Sequence, residues 1–255
     1  MKLHRFYNDI PIGDKENITI SSVLISNQMR NVLRIKTGDK VCIFDNSGFD
    51  FMAVVDKYEK DTVYLRISEK KVNNVRAKRE TYLFCSILKK NNFEWVVEKA
   101  TELGVSHIVP IISNRSEKKG LNKERLQKII IESGEQSGRG ILPRLYEIID
   151  LEKSITDYSK IKLIAWDPRA VKFSIKDLSE IKDRSGNNLS NDSSNGLSNV
   201  IETHDVIGVY IGPEGGWTEE EIELFNKNNV SIYSLGPQIL RAETAVVAVL
   251  SQVVF

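Results

Sequence analysis

Apolar residues in the first 70 positions fall into short runs and alternating patterns, which predict strands rather than long helices. Residues 40–44 and 51–55 are apolar and flank an Asn-Ser-Gly turn at 46–48, so we expect a hairpin there. Residues 62–67 predict a further strand, and residues 21–34 predict a strand and one helical turn. Several short strands joined by turns favour a small β-barrel.

From residue 81 the pattern changes to strands alternating with helices. Residues 82–88, 107–112 and 162–166 predict strands, and residues 123–134 predict a helix. Another helix is indicated by apolar residues that share one face and end before a glycine: Phe93, Val96, Val97, Ala100, Leu103 and then Gly104. Such alternation predicts an α/β domain with a mostly parallel sheet.

The last 50 residues contain two loops of similar construction. An apolar strand at 207–211 leads into a glycine-rich loop at 212–216, and Thr218 with Glu221 has the spacing of a capping box, so a helix should begin at Glu219. A second strand at 231–235 ends at Gly-Pro, and residues 242–254 predict a final apolar helix. Parallel sheets bind their ligands at neighbouring strand-end loops of this kind.

Two polar segments separate these parts. Residues 69–80 are polar and mostly basic and predict a linker, which divides the chain into domains at 1–72 and 73–255. Residues 184–199 are rich in Ser, Asn and Gly and cannot bury enough apolar area to offset their ordering entropy. We interpret this second segment as a surface insertion without a catalytic role.

Composition narrows the functional classes. The 255 residues are 41% hydrophobic and 28% charged, and neither a membrane span nor a signal peptide is recognisable, so we expect a soluble cytoplasmic protein. Cys42 and Cys85 lie in apolar runs and predict buried thiols, and no metal-binding motif is present. Residues 1–80 hold 15 Lys and Arg against 11 Asp and Glu, which fits either a solvated surface or a nucleic-acid contact.

The loop at 212–216 lacks the features of a phosphate site. It matches neither the Walker sequence nor GxGxxG, and Glu214 places a carboxylate where a phosphate would be repelled. A cationic nucleoside such as S-adenosylmethionine suits it better. A different ligand of an α/β site and a purely structural turn remain alternatives.

The motif Gly-Pro-Glu-Gly-Gly-Trp-Thr-Glu-Glu-Glu-Ile at 212–222 and the motif Leu-Gly-Pro-Gln-Ile-Leu-Arg-Ala-Glu-Thr-Ala at 235–245 resemble the last two motifs of the bacterial 16S ribosomal RNA uridine N3-methyltransferases, which belong to the SPOUT superfamily. Segments 32–39, 98–105 and 135–139 are similar to further parts of that family. The resemblance covers nearly the whole chain in order.

The resemblance implies an N-terminal PUA-like small β-barrel that binds RNA and a C-terminal SPOUT α/β domain with a trefoil knot. It further implies S-adenosylmethionine as the cofactor, 16S ribosomal RNA or the small ribosomal subunit as the partner, and a homodimer. The last helix would supply either a dimer surface or plain core through its apolar residues Val246, Val247, Val249, Leu250 and Val253.

The resemblance also implies site residues. The two loops and the following helix start would bind the cofactor through Ile211, Gly212, Pro213, Glu214, Gly215, Gly216, Leu235, Gly236, Ile239, Leu240, Arg241, Thr244 and Ala245. Methyl transfer to N3 requires that a uracil imide anion be stabilised, and Arg241 is the candidate for this role. Either Glu243 or Glu214 is the candidate proton acceptor, and a structural role is the alternative for both. For Arg241 the structural alternative is an ion pair with Glu243. RNA contacts are assigned to Arg5, Arg30, Arg34, Gln136 and Arg139.

The chain departs from the family pattern in two places. Asn27 or Gln28 stands where a His is common, and Asp167 precedes Pro168 where Glu is common. The rival functions are a ribose 2′-O-methyltransferase of the same superfamily and a non-catalytic RNA-binding protein. A serine hydrolase is excluded because the GxSxG motif is missing.

Overall fold

The structure is a computed structural model that describes residues 3–89, 91–117, 120–170 and 204–254. The chain divides into two compact units. The first contains the chain up to Arg76 together with Ile131–Leu142, and the second contains Ala77–Ile130 and the chain from Pro143 onward. The segment Ile131–Leu142 was not expected in the first unit. The predicted Ser/Asn-rich insertion at 184–199 lies outside the described residues.

The first unit is built on a five-stranded sheet in the order β1-β3-β4-β5-β2. Only the β1–β3 pair is parallel. The strands are β1 (Arg5–Tyr7), β2 (Asn17–Ser21), β3 (Lys40–Phe44), β4 (Phe49–Glu59) and β5 (Thr62–Val72). Their apolar side chains alternate toward one core, which includes Phe6, Ile18, Ile20, Phe51, Ala53, Val55, Val63 and Leu65. Alternation therefore predicted this part of the core because side chains of a strand point to opposite faces in turn.

Three predictions for the first unit need correction. The hairpin strands β4 and β5 are longer than expected, so residues 69–72 of the predicted linker belong to β5. The pairing order has β1 and β2 at its two ends, so the hydrogen bonds between the described strands do not close a barrel. Residues 21–34 are also more helical than predicted, with α1 (Val23–Asn27) followed by a π-helical turn at Gln28–Val32.

The second unit is built on a parallel sheet in the order β12-β10-β11-β6-β7-β8, with β9 also paired to β7. Every described pair is parallel, which confirms the predicted sheet type. The strands are β6 (Glu80–Ser86), β7 (His107–Ile112), β8 (Arg144–Leu145), β9 (Ile149–Asp150), β10 (Lys162–Trp166), β11 (Val206–Ile211) and β12 (Ser231–Tyr233). The central strands are buried on both faces, as their continuous apolar runs require.

The helices that follow β6 in the chain are α2 (Asn92–Leu103), α3 (Lys123–Ser137), α4 (Leu151–Asp157), α5 (Glu219–Lys227) and α6 (Ala242–Val253). The residues of α3 from Ile131 onward belong to the first unit. The predicted start of α5 and the predicted stop of α2 at Gly104, which has a φ of +99°, are both confirmed. Helix α6 packs against α2 and β11. No helix among the described residues is long and apolar enough to cross a membrane.

Two helix predictions were incomplete. Helix α3 continues past Gly134 to Ser137, because the penalty of one glycine is small beside the packing of the helix. In α6, Val246, Val249, Leu250 and Val253 are each 0% exposed. They form part of the core of a single chain, so the alternative of plain core is correct for these four residues, whereas Val247 is partly exposed.

Gly208, in the middle of β11, provides a test of this packing. A Cβ there would lie 2.8 Å from Cε2 of Phe84, and the Phe84 ring is fixed by stacking on Tyr210 at 4.5 Å. We expect Gly208→Ala to lower the free energy of unfolding by about 1–3 kcal/mol, because an overpacked core must strain. Urea or thermal unfolding measures this.

Gly120→Ala is the matched control, because a Cβ at Gly120 meets no atom within 4 Å. Equal stability of the Gly208→Ala variant and the wild type would contradict this account of the core.

Candidate active site at the carboxyl ends of the parallel strands

Four neighbouring strands end at the same level of the sheet. Trp166, the last residue of β10, pairs with Ile211 and Tyr233, and Ile211 pairs with Cys85 of β6. The loops that follow these strands therefore meet at one edge. A cleft of about 870 Å³ lies among them, which is within the range of small-molecule sites.

The first loop, residues 212–217, is named the glycine loop below. It contains a tight turn in which the Gly216 N–H donates to the Pro213 carbonyl at 2.9 Å, and Gly216 has a φ of +69° that a side chain would strain. A Cβ at Gly212 would lie 3.0 Å from the Trp217 ring. The Trp217 indole is buried, and its Nε1 donates to the Trp166 carbonyl at 3.0 Å. This bond joins the loop to the end of β10.

Helix α5 begins where the glycine loop ends. Thr218 and Glu221 form the predicted capping box, with the Glu221 N–H donating to Thr218 Oγ1 at 3.3 Å and the Thr218 N–H donating to Glu221 Oε2 at 2.8 Å. The second carboxylate oxygen of Glu221 accepts the Asn114 N–H at 2.8 Å. The cap thereby also fixes the loop that follows β7.

Glu214 has a structural contact that its sequence position did not reveal. Its Oε1 accepts the backbone N–H of Lys89, in the loop after β6, at 2.9 Å. Glu214 is otherwise exposed. Its carboxylate belongs to the cleft lining, so the glycine loop carries a negative charge at a position where a phosphate cradle would need donors.

Two arginines contact the glycine loop from neighbouring loops. Arg115, after β7, donates from Nη1 to the Gly215 carbonyl at 2.7 Å and to the Trp217 carbonyl at 3.4 Å. Arg169, after β10, donates from Nη2 to the same Trp217 carbonyl at 3.1 Å. Both residues line the cleft.

Arg169 is held by Asp167, which is 4% exposed. The Asp167 carboxylate accepts from the Arg169 backbone N–H, from Nε and from Nη2 at 2.8–2.9 Å. Burial works to raise the pKa of Asp167, but the hydrogen bonds and charge of Arg169 outweigh it and hold the pKa below its ordinary value. The same pair raises the pKa of the Arg169 guanidinium.

The second loop leads from β12 into α6. The Ser234 hydroxyl donates to the Gly236 carbonyl at 3.1 Å, and Gly236 has a φ of +126°. Ile239 is 84% exposed at the rim of the cleft. Arg241 caps α6 through its backbone, and its exposed guanidinium makes no ion pair with a described residue, so the predicted alternative of a pair with Glu243 is not present.

Two buried polar atoms in the cleft lining lack a hydrogen-bond partner among the described residues. They are the indole Nε1 of Trp166 and Oε2 of Glu243. Cys85 lies nearby. Burial raises the pKa of its thiol, and the carboxylates of Glu214 and Glu243 act in the same direction, so the thiol stays protonated. The described residues contain no cluster of three or more potential metal ligands.

The cleft brings together most of the predicted cofactor residues and both predicted catalytic residues. Only Gly236 and Thr244 of that set are outside its lining. The sequence motifs did not indicate the other residues of the lining, which are Lys89, Asn92, Arg115, Trp166, Asp167, Pro168, Arg169, Trp217, Gln238 and Ala242. Trp166 to Arg169 could have been found, because they follow a predicted strand of the same parallel sheet.

The residues predicted to contact RNA fall into two groups. Arg30, Arg34 and Gln136 are exposed, and the Arg30 guanidinium lies 5.3 Å from the centre of the Tyr58 ring. Arg5 and Arg139 are engaged within the first unit instead. Arg5 forms a two-bond ion pair with Asp50 at 2.7 and 2.9 Å and donates to the Arg139 carbonyl.

Arg139 is 8% exposed, and burial lowers its pKa to about 10. Its Nε donates to the Ile141 carbonyl at 2.9 Å. A phosphate contact by Arg5 or Arg139 would require these internal bonds to break. Arg5 and Arg139 are therefore not proposed as RNA contacts.

Two family models match the chain. The RNA methyltransferase domain matches residues 75–254, and the RNA methyltransferase PUA domain matches residues 29–68. Ribosomal RNA small subunit methyltransferase E of Rickettsia conorii is 29% identical over 255 residues, covering 99% of this chain and 96% of the relative. The protein of that name from Bacillus subtilis is also 29% identical, over 232 residues that cover 88% and 84%.

Solved structures are similar over almost the whole chain. Ribosomal RNA small subunit methyltransferase E from Neisseria gonorrhoeae, bound to S-adenosyl methionine, has a TM-score of 0.80 at 25% identity and covers 98% of this chain and 96% of its own. A methyltransferase from Legionella pneumophila with bound cofactor SAM has a TM-score of 0.79 at 26% identity, with the same coverage. The α/β fold with an N-terminal PUA-like domain is thus established, and the chain belongs to the RNA methyltransferase domain family.

Proposed function

We propose that this protein uses S-adenosylmethionine to methylate N3 of a uridine in 16S ribosomal RNA of the small subunit. The observation that carries the proposal is the convergence of both motif loops on one cleft, with Arg241 and Glu243 in its lining. The names and bound cofactor of the relatives support S-adenosylmethionine-dependent methylation of small-subunit ribosomal RNA. The choice of uridine N3 comes from the resemblance of the two C-terminal motifs. Residues 1–72 would form the RNA-binding domain and residues 73–255 the methyltransferase domain, acting in the cytoplasm.

The cleft suits S-adenosylmethionine in several respects. Its apolar residues, such as Ile211 and Leu235, can cover an adenine ring, and the Glu214 carboxylate suits a cation better than a phosphate. Gly212 lies so close to the Trp217 ring that a Cβ would be 3.0 Å from it. The cleft lining therefore has no side chain at this position. The unpartnered Trp166 Nε1–H and Glu243 Oε2 are polar groups that a bound polar ligand could satisfy after a small adjustment.

The reaction needs little covalent chemistry from the protein. When bound, S-adenosylmethionine supplies an electrophilic methyl group on a sulfonium. The protein must orient the uracil ring, remove the N3 proton and stabilise the resulting imide anion. Arg241 is proposed for the last task, because it is exposed in the cleft and its guanidinium is always charged.

Glu243 is the proposed proton acceptor. It lies in the first turn of α6, two residues after Arg241, and its Oε2 has no partner among the described residues. A carboxylate in the same cleft as a guanidinium can take the proton while the positive charge stabilises the product anion.

A trefoil knot is proposed for the C-terminal domain. Strand β11 lies between β6 and β10, both of which precede it in the chain, and α6 then packs against α2 and β11. This strand order is compatible with a threaded path, and the knot itself is proposed from the resemblance to the methyltransferase family. A homodimer is also proposed. Because Val246, Val249, Leu250 and Val253 are core residues, the dimer interface must consist of other residues. Sedimentation equilibrium measures whether the particle in solution has the mass of two chains.

The reaction itself is the first test. We expect the purified protein to bind S-adenosylmethionine in calorimetry and to transfer its methyl group to 16S ribosomal RNA or to the small subunit. Nucleoside mass spectrometry of the product should identify N3-methyluridine. A 2′-O-methylated ribose would support the rival methyltransferase, and RNA binding without cofactor binding would support a non-catalytic protein.

Arg241→Ala tests the catalytic assignment. We expect kcat to fall by about 10²–10³, because a preorganised donor to the developing anion is lost. The Kd for S-adenosylmethionine should change by less than about threefold, since binding without transfer needs little from this side chain. Single-turnover methylation and calorimetry measure the two quantities.

Arg125→Ala is the control for Arg241→Ala, because Arg125 forms a surface pair with Glu94. Wild-type kcat in Arg241→Ala would remove Arg241 from the catalytic assignment.

The joint variant Arg30→Ala/Arg34→Ala tests the RNA surface. We expect weaker RNA binding and a shallower dependence of log K on log salt, by about 0.7 for each lost phosphate contact to single-stranded RNA. Cofactor affinity should not change. Filter binding over a salt series measures the slope.

Arg66→Ala is the matched control for this surface, because Arg66 is also exposed in the first unit but pairs with Asp56 at 3.5 Å. An unchanged salt slope in the joint variant would exclude Arg30 and Arg34 from phosphate binding.

A further inference from the structure

We propose that Arg115 and Arg169 are positioning residues that together hold the glycine loop in its cofactor-binding conformation. The proposal rests on the proposed function, since it assumes that the loop binds S-adenosylmethionine. Neither arginine belongs to the two sequence motifs. Both reach the loop from neighbouring strand ends and contact the same backbone oxygen, the carbonyl of Trp217.

Arg115 contacts the glycine loop in two ways. Its Nη1 lies 2.7 Å from the Gly215 carbonyl oxygen and 3.4 Å from that of Trp217. Its aliphatic stem lies against Gly215, where an added Cβ would be 3.1 Å from both Cβ and Cδ of Arg115. Gly215 therefore gives the arginine room to approach the backbone, and the arginine fixes a residue that is otherwise free to rotate.

The loop that carries Arg115 is itself fixed. The Ser113 hydroxyl lies 3.0 Å from Ser86 Oγ at the end of β6 and 2.9 Å from Ser116 Oγ, and all three serines are buried. Asn114 donates to the Glu221 carboxylate at the start of α5. The guanidinium of Arg115 thus extends from a rigid base.

Arg169 contacts the glycine loop from the loop that follows β10. Its Nη2 lies 3.1 Å from the Trp217 carbonyl oxygen, while Asp167 and Glu219 bind the rest of the guanidinium. The Asp167 side chain is buried and accepts from both Nε and Nη2 of Arg169, and these two bonds set the orientation of the guanidinium.

The glycines explain why the loop needs to be held by Arg115 and Arg169, an arrangement called the clamp. A loop with Gly212, Gly215 and Gly216 has many backbone conformations, and binding a ligand to a free loop would cost the entropy of ordering it. Two charged donors on carbonyls of this loop restrict it before the ligand arrives. The arginines act through the loop backbone, so their loss should affect cofactor affinity more than the chemical step.

Arginine suits this role better than lysine. One guanidinium nitrogen of Arg115 bonds two carbonyls, and Arg169 bonds a carbonyl and two carboxylates at once. The planar group presents several donors in a fixed arrangement, whereas an ammonium is a compact and strongly hydrated point charge. Arg115→Lys should therefore restore only part of the affinity.

The experiment is calorimetry of the full chain with S-adenosylmethionine, together with methylation kinetics. We expect Arg115→Ala to raise the Kd and the KM for the cofactor about tenfold, as loss of one charge-assisted bond predicts. At saturating cofactor, kcat and the KM for RNA should stay within about threefold. Arg125→Ala, a surface arginine of the same unit, should leave all four constants unchanged.

A double-mutant cycle with Arg169→Ala tests the shared carbonyl. Both arginines bond the Trp217 oxygen. The increase in the Kd for S-adenosylmethionine in the double variant should therefore differ by more than about twofold from the product of the increases in the two single variants. If the increase in Kd in the double variant equals that product within about twofold, the two arginines act independently, and the proposal that they hold the loop together is wrong.

Two further results would overturn the proposal, and they are distinguishable. If the wild type binds S-adenosylmethionine and Arg115→Ala binds it equally well, the clamp is wrong and the proposed function stands. If the wild type binds no S-adenosylmethionine, both are wrong. A loss of kcat or of RNA affinity at unchanged cofactor Kd would instead assign Arg115 to the RNA.

Discussion

The backbone of the glycine loop is the constraint on which the rest of the cleft depends. Three neighbouring strand ends hold it: Lys89 through Glu214 after β6, Arg115 after β7, and Trp166 through the Trp217 indole after β10. Two of these bonds use side chains of the loop, those of Glu214 and Trp217, and the third uses the Gly215 carbonyl, so the geometry depends on the loop side chains as well as on the chain path. The parallel sheet makes this possible because all these strands end at one edge.

Local sequence patterns predicted the features that depend on residues close together in the chain. The start of α5 followed from the Thr218 and Glu221 spacing, and the parallel sheet followed from the alternation of strands and helices. Contacts between distant residues were beyond such patterns. Arg115 lies 100 positions from Gly215, and the ion pair of Arg5 with Asp50 spans 45 positions. The spacing of residues along the chain does not indicate which arginine will contact which carboxylate or carbonyl in the folded protein.

The basic excess of the N-terminal third is a case where composition says little without structure. Several of its cations are already paired on the surface, including Lys57 with Glu59 at 2.5 Å, Lys70 with Asp14 at 2.8 Å and Lys71 with Glu69 at 3.0 Å. Exposed pairs of this kind contribute little to stability, but they neutralise charge locally. Arg30 and Arg34 have no such ion pair with a described residue, so a small part of the excess remains for an anionic partner.

The position of β11 has a consequence for how the protein acquires its structure. Its partners β6 and β10 are synthesised earlier, and they cannot pair through β11 until residues 206–211 have emerged. During synthesis the two halves of the sheet therefore expose strand edges that face a gap. The final strand pairing joins residues more than 120 positions apart, and contacts of such long range are slow to form. We expect completion of the cleft to be a late folding event, which makes catalytic competence a property of the finished chain.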